Sequence, residues 1–111
     1  MFKKRLSPKE AKDILKGKDT VLIDVRSKEE YLAAHLKAEG SEFIPINEDS
    51  FETKMNKLDK NKTYVIVCAH GIRSKHAMNV AKKLGFDKVY DIKGGLQAWV
   101  EDDLPLDVEE E

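Results

Sequence analysis

The sequence predicts an α/β domain built on a mostly parallel β-sheet, and three observations carry that expectation. Short β-branched runs alternate with segments of helical spacing along the chain. Those runs, Thr20-Val-Leu-Ile-Asp24-Val25 and Tyr64-Val-Ile-Val-Cys68, carry consecutive apolar residues rather than one at every second position, as in strands covered on both faces. Two Ser-x-x-Glu boxes then mark helix starts, Ser7–Glu10 before the first run and Ser27–Glu30 after it.

Taken in order, Ser7-Pro8-Lys9-Glu10 is a capping box with proline at the first helical position, and Gly17 closes that helix. Thr20–Val25 is a buried strand. Ser27-x-x-Glu30 opens a short helix through Tyr31 and Leu32. Phe43–Ile46 reads as a brief strand, and Pro45 assigns it to a sheet edge. Phe51, Met55 and Leu58 mark one face of a further helix, closed by the polar turn Asp59–Lys62. After the strand that ends at Cys68, Ala77, Val80, Ala81 and Leu84 share one helical face. Val89–Ile92 is the last strand, and Gly94-Gly95 turns into a short helix carrying Ala98 and Trp99.

The 111 residues are expected to form one domain over 1–111, large enough for a core without metals or disulfides. Charged residues reach 37%, yet the net charge is −1, so the excess is balanced and points to a solvated surface rather than to nucleic acid. Met1-Phe-Lys-Lys-Arg5 begins like the n-region of a signal peptide, but Leu6-Ser-Pro-Lys-Glu10 follows instead of an apolar stretch. No run is long enough to span a membrane. A single cysteine forms no internal disulfide, which leaves the cytoplasm as the expected compartment. The acidic tail 107–111 is expected to fray.

Cys68 is the most informative residue. A lone cysteine in an apolar strand is ordinarily a small buried hydrophobe. This one closes its run, and a short loop and a helix follow. A thiol at that place faces backbone N–H groups and the positive end of a helix dipole, which favour an anion. The anion that forms there is the thiolate, the reactive form of cysteine. Gly71 permits a positive φ that turns successive N–H groups inward, and Arg73 adds a permanent charge at the end of the loop. In open α/β sheets, sites gather outside the carboxyl ends of strands. Asp24, Cys68 and the Lys93-Gly94-Gly95 turn all lie at such ends.

These residues resemble a single-domain rhodanese, of the sulfurtransferase family. Asp24-Val-Arg26 with Glu30-Tyr31 resembles the family's Asp-x-Arg and Glu-Phe/Tyr signature, and His35-Leu36 resembles its Gly-His-Ile motif. Cys68-Ala69-His70-Gly71-Ile72-Arg73-Ser74 resembles its active-site loop, and Gly94-Gly95-Leu-Gln-Ala98-Trp99 its closing segment. Ala34 and Ala38-Glu39 stand where the family has glycine and a Gly-Ala pair, a departure that bears on the path of residues 34–42. Asp103-Leu-Pro105 replaces the usual Gly-Leu-Pro.

The resemblance implies a three-layer domain with about five strands and helices on both faces. It also implies sulfur transfer through a persulfide on Cys68, cradled by residues 69–74, with a small-molecule sulfur donor and a thiol, protein or cyanide acceptor. No cofactor, metal, membrane or nucleic acid enters that cycle, and a monomer is expected. A persulfide carrier and a non-catalytic binding module are the alternatives. Phosphatases and arsenate reductases of the same fold are disfavoured, because phosphatases need five residues between cysteine and arginine and only four lie between Cys68 and Arg73.

The remaining candidates divide. His70 either adds positive potential beside the sulfur or stands as a solvent-facing loop residue. Asp24 and Arg26 either touch substrate or form a structural ion pair supporting the site, the second being favoured, and His35 reads as a hydrogen-bonded structural residue rather than an acid or base. Cys68, His70 and His76 match no zinc spacing. Trp99 and Phe86 read as core. Lys75, Lys82 and Lys83 form a solvated face, with Lys75 close enough to the loop to attract anions.

Overall fold

The computed structural model describes residues 4–109. Five parallel strands form one sheet in the order β1-β5-β4-β2-β3: β1 Arg5–Leu6, β2 Thr20–Asp24, β3 Glu42–Phe43, β4 Thr63–Val67 and β5 Val89–Ile92. Four helices connect them, α1 Pro8–Leu15, α2 Lys28–Ala33, α3 Phe51–Asn56 and α4 Ile72–Lys83, and α5 Gly95–Glu101 follows β5. Among the described residues, no helix is long and apolar enough to cross a membrane.

Strand alternation divides the core into two layers. Ile23, Tyr64, Ile66 and Val89 pack with Phe51 and Met55 of α3 and with Ala77, Met78 and Ala81 of α4. Leu22, Val65, Val67 and Ile92 face the other way, against Ala11 and Leu15 of α1 and Trp99 of α5. Because successive side chains point to opposite faces, the parity of β4 decides where its last apolar neighbour goes. Tyr64, Ile66 and Cys68 share a face, so the thiol emerges on the α4 side.

Both predicted capping boxes form. The Ser7 hydroxyl accepts from Glu10 N and the Glu10 carboxylate accepts from Ser7 N; Ser27 and Glu30 do the same at α2. Such caps satisfy helix donors that would otherwise lack partners.

Three expectations are corrected. The edge strand predicted at 43–46 is assigned at Glu42–Phe43. Ile44 N and Ile46 N still donate to Asp24 O and Val25 O, while Pro45, which has no N–H, falls between them at the edge. Leu58 lies beyond α3, which ends at Asn56, although it still packs on the core. The tail does not fray over 107–108. Val108 is 0% exposed, its N–H donates to Lys37 O at 2.9 Å, and Lys37 N donates to Leu106 O at 2.8 Å. One apolar residue among four acids outweighs their solvation by completing the layer that holds Leu36 and Trp99. Residues 110–111 lie outside the described residues, as do Met1, Phe2 and Lys3 of the signal-like start.

The segment 34–42 takes a definite path. Ala34 is extended and gives its carbonyl to Arg26 Nη2 at 2.7 Å, and Gly40 turns the chain with φ +73°.

Candidate active site

Cys68 follows the last residue of β4, and its sulfur faces the first turn of α4 with 1% of the residue exposed. Gly71 N–H donates to Sγ at 3.0 Å and Ser74 N–H donates to it at 3.3 Å. Gly71 occupies the N-cap of α4 at φ +93°, where no side chain caps the helix. The free donors of the first turn are therefore open to the sulfur.

The loop presents N–H groups to the sulfur because its carbonyls are engaged elsewhere. Leu96 N and Gln97 N, in the first turn of α5, donate to Cys68 O at 2.8 Å and to Ala69 O at 3.0 Å. This approach requires Gly95. A Cβ there would lie 2.5 Å from Cys68 O and 2.6 Å from the Ala69 carbonyl carbon and oxygen, and its φ is +65°. The Gly-Gly turn thus places one helix start behind the loop while another opens in front of it.

Burial pushes the Cys68 thiol up, but the Ser74 hydroxyl and the amides of Ser74, Gly71 and His70 outweigh it, and the pKa ends below the ordinary thiol value. The Ser74 hydroxyl has one proton, which it also gives to Asp91 Oδ2 at 2.8 Å, so its help to the sulfur is shared. The backbone amides carry the more constant part of the stabilisation.

Arg73 keeps its charge at the end of the loop but turns its donors to Glu30. Its Nη1 and Nη2 donate to the two oxygens of Glu30 at 2.7 and 2.9 Å rather than to the sulfur. Arg73 holds the Glu30 carboxyl at about 2, against burial and with help from Ser27. The thiolate feels this arginine at longer range, as a charge already half-compensated.

Asp24 and Arg26 form a buried bidentate pair, with Nε 3.0 Å from Oδ1 and Nη2 2.9 Å from Oδ2. Arg26 Nη2 also donates to Ala34 O at 2.7 Å, which fixes the segment after α2. His35 bonds Tyr31 O through Nδ1 at 2.8 Å and stacks on the Tyr31 ring. His70 is exposed, and Ile72 is 80% exposed despite its place in the loop. Lys75 is exposed in the first turn of α4. Phe86 and Trp99 are core residues.

Sequence reasoning missed Arg5 and Asp91, which bond each other behind the loop. A readable signal was present for one of them: Asp91 is an acid within the apolar strand Val89–Ile92, where a buried carboxylate demands a partner.

The profile of the rhodanese-like domain matches residues 7–102. The chain belongs to the rhodanese-like domain family. Among curated relatives it is 25% identical to a thiosulfate sulfurtransferase GlpE of Glaesserella parasuis, across 93% of this chain and 92% of that one. Among solved structures, a rhodanese-related protein of Thermoplasma volcanium superposes with a TM-score of 0.78 at 28% identity, covering 93% of this chain and 96% of the other. The polysulfide-sulfur transferase homodimer of Wolinella succinogenes gives 0.76 at 32%, covering 93% and 77%. All five strands of this rhodanese-like sheet are parallel, as the fold class predicts.

Proposed function

We propose that this chain is a sulfurtransferase whose single domain, 1–111, moves sulfane sulfur through a persulfide on Cys68. The observation that carries the reading is the pair of loop amides that meet Sγ at the start of α4. The relatives named for thiosulfate and polysulfide sulfur transfer support the same class of chemistry.

In the first half-reaction the Cys68 thiolate attacks the outer sulfur of thiosulfate. The S–S bond of the donor breaks, sulfite leaves with the bonding pair, and Cys68–S–S⁻ remains. In the second, cyanide or an acceptor thiolate attacks the terminal sulfur. Thiocyanate or a new persulfide departs, and the Cys68 thiolate is restored. This is nucleophilic catalysis through a covalent intermediate, and its rate follows the thiolate fraction and access to the sulfur. The loop amides stabilise the anion at rest, and residues 69–74 surround the terminal sulfur of the intermediate. With one cysteine in the chain, no neighbouring thiol collapses the persulfide into an internal disulfide. The four residues between Cys68 and Arg73 favour a ring sized for sulfur over one for a phosphoryl group. The reducing cytoplasm suits the free thiol this cycle needs.

Mass spectrometry of the intact protein after incubation with thiosulfate is the test. The wild type gains one sulfur atom, and Cys68→Ser gains none and loses turnover. Equal turnover in Cys68→Ser would end the sulfurtransferase reading.

A further inference from the structure

Two charged residues that the sulfur cycle does not employ hold the loop from behind. Asp91, in β5, is 0% exposed. Its carboxylate accepts Arg5 Nε at 3.0 Å, Arg5 Nη2 at 2.8 Å and the Ser74 hydroxyl at 2.8 Å. Arg5 stands directly opposite it on β1, and Arg5 Nη2 also donates to the Gly71 carbonyl. Gly71 and Ser74 both donate their amides to Cys68 Sγ. A carboxylate among strand neighbours as apolar as Val89 and Ile92 is costly to desolvate, and strand pairing does not call for it.

We propose that Arg5 and Asp91 are positioning residues for the sulfur cradle: Arg5 clamps the Gly71 peptide, Asp91 holds the Ser74 side chain, and together they aim both amides at Cys68. The inference rests on the sulfurtransferase reading and names the groups that set the cradle's geometry.

The chemistry requires a guanidinium. Its planar fork presents several donors in fixed directions and serves the Asp91 carboxylate and the Gly71 carbonyl together. A lysine ammonium answers the carboxylate's charge but has no fork. Gly71 is held closely enough that a Cβ on it would lie 2.9 Å from Arg5 Nη2 and 3.0 Å from Gly94 N. The loop is thus fixed between β1 and the Gly-Gly turn. The guanidinium of Arg5 also registers the charge on Cys68, as its proximity requires.

A plain structural ion pair joining β1 to the sheet makes a different prediction from a positioning pair, and Arg5→Lys separates them. This variant keeps the charge and loses the fork, and thermal unfolding reports whether it folds. Two readouts follow: thiolate absorbance against pH, and amide hydrogen exchange at Gly71 and Ser74. The expected result is a Cys68 midpoint raised by about one unit, with exchange about tenfold faster at both amides, the scale of one weakened hydrogen bond to an anion.

A midpoint equal to the wild type's, whatever the unfolding temperature, overturns the proposal. So does a raised midpoint with unchanged amide exchange, which would mean that Arg5 acts through its charge alone. Should Arg5→Lys fail to fold, Asp91→Asn carries the test through exchange, where faster rates at Gly71 and Ser74 support the proposal and unchanged rates overturn it. Sulfur uptake by the wild type is scored separately. A wild type with a depressed thiol midpoint and no sulfur uptake would end the sulfur-transfer reading and leave the positioning pair standing.

Discussion

Helices α1 and α2 begin with serine capping boxes, whereas α4 and α5 begin with a left-handed glycine and no side-chain cap. The first pair spend their terminal donors on their own side chains. The second pair leave theirs open, α4 toward the sulfur and α5 toward the carbonyls behind it. A serine or aspartate cap at Gly71 would compete for the donors that hold the anion. Where a helix start binds something else, the local stabilisation of a cap is given up, and neighbouring elements must hold the turn instead. Arg5, Asp91 and the Gly-Gly turn meet that need here.

The largest expected effect breaks the open pair. Gly95→Ala drives a Cβ into the Cys68 and Ala69 carbonyls at a left-handed φ, so overpacking and backbone strain should cost about 3 kcal/mol. Urea denaturation checks the stability. Sulfur uptake should fall with it, because α5 can no longer hold the loop's carbonyls. Full stability in Gly95→Ala would mean that the close approach is not required.

Breaking a closed start gives a smaller and purely structural effect. Ser7→Ala removes the cap of α1 and should cost about 1 kcal/mol, while the thiolate midpoint of Cys68 stays where it was. A shifted midpoint would show that the two classes of helix start are not independent.

The smallest effect sharpens the position of α2, whose cap residue Glu30 also clamps Arg73. Its carboxyl is lowered from 4.5 to about 2 in the folded chain. The stabilisation is therefore complete above about pH 4.5 and is lost as pH falls through about 2. Both side chains are over a third or near a third exposed, at 39% and 34%, so screening should keep the contribution below about 1 kcal/mol. Comparing Glu30→Gln with the wild type across that window should show the stability gap closing toward low pH. A gap that persists undiminished well below the Glu30 midpoint of about 2 would mean that the charge is not what binds α2 to the loop.

Local signals made much of this legible. Capping boxes depend on residues three apart, and the covered strands β2 and β4 declare themselves by unbroken apolar runs. Cys68 is readable because a run's end and the helix after it are both local. Strand β1 is not, since two residues, one of them charged, hold no period; pairing with β5 creates it. The same distance hides the Arg5 clamp and the Arg73–Glu30 bridge, as partners 86 and 43 residues apart leave no mark in any window. The tail misleads for a related reason. Four acids dominate its composition, while the contacts that anchor it, Val108 in the layer of Leu36 and Trp99 and the backbone bonds to Lys37, come from residues distant in sequence.

That spread of partners has a consequence for the newly made chain. The donors on Cys68 reach it from a loop steadied by strand β1 near one end of the chain and by strand β5 and helix α5 near the other. Pairings of such long separation form late, because loop closure must come first. Until they close, the loop lacks the partners that aim its amides at the sulfur. The full aim of the cradle is thus a property of the finished sheet, although its donors lie close to Cys68 in sequence.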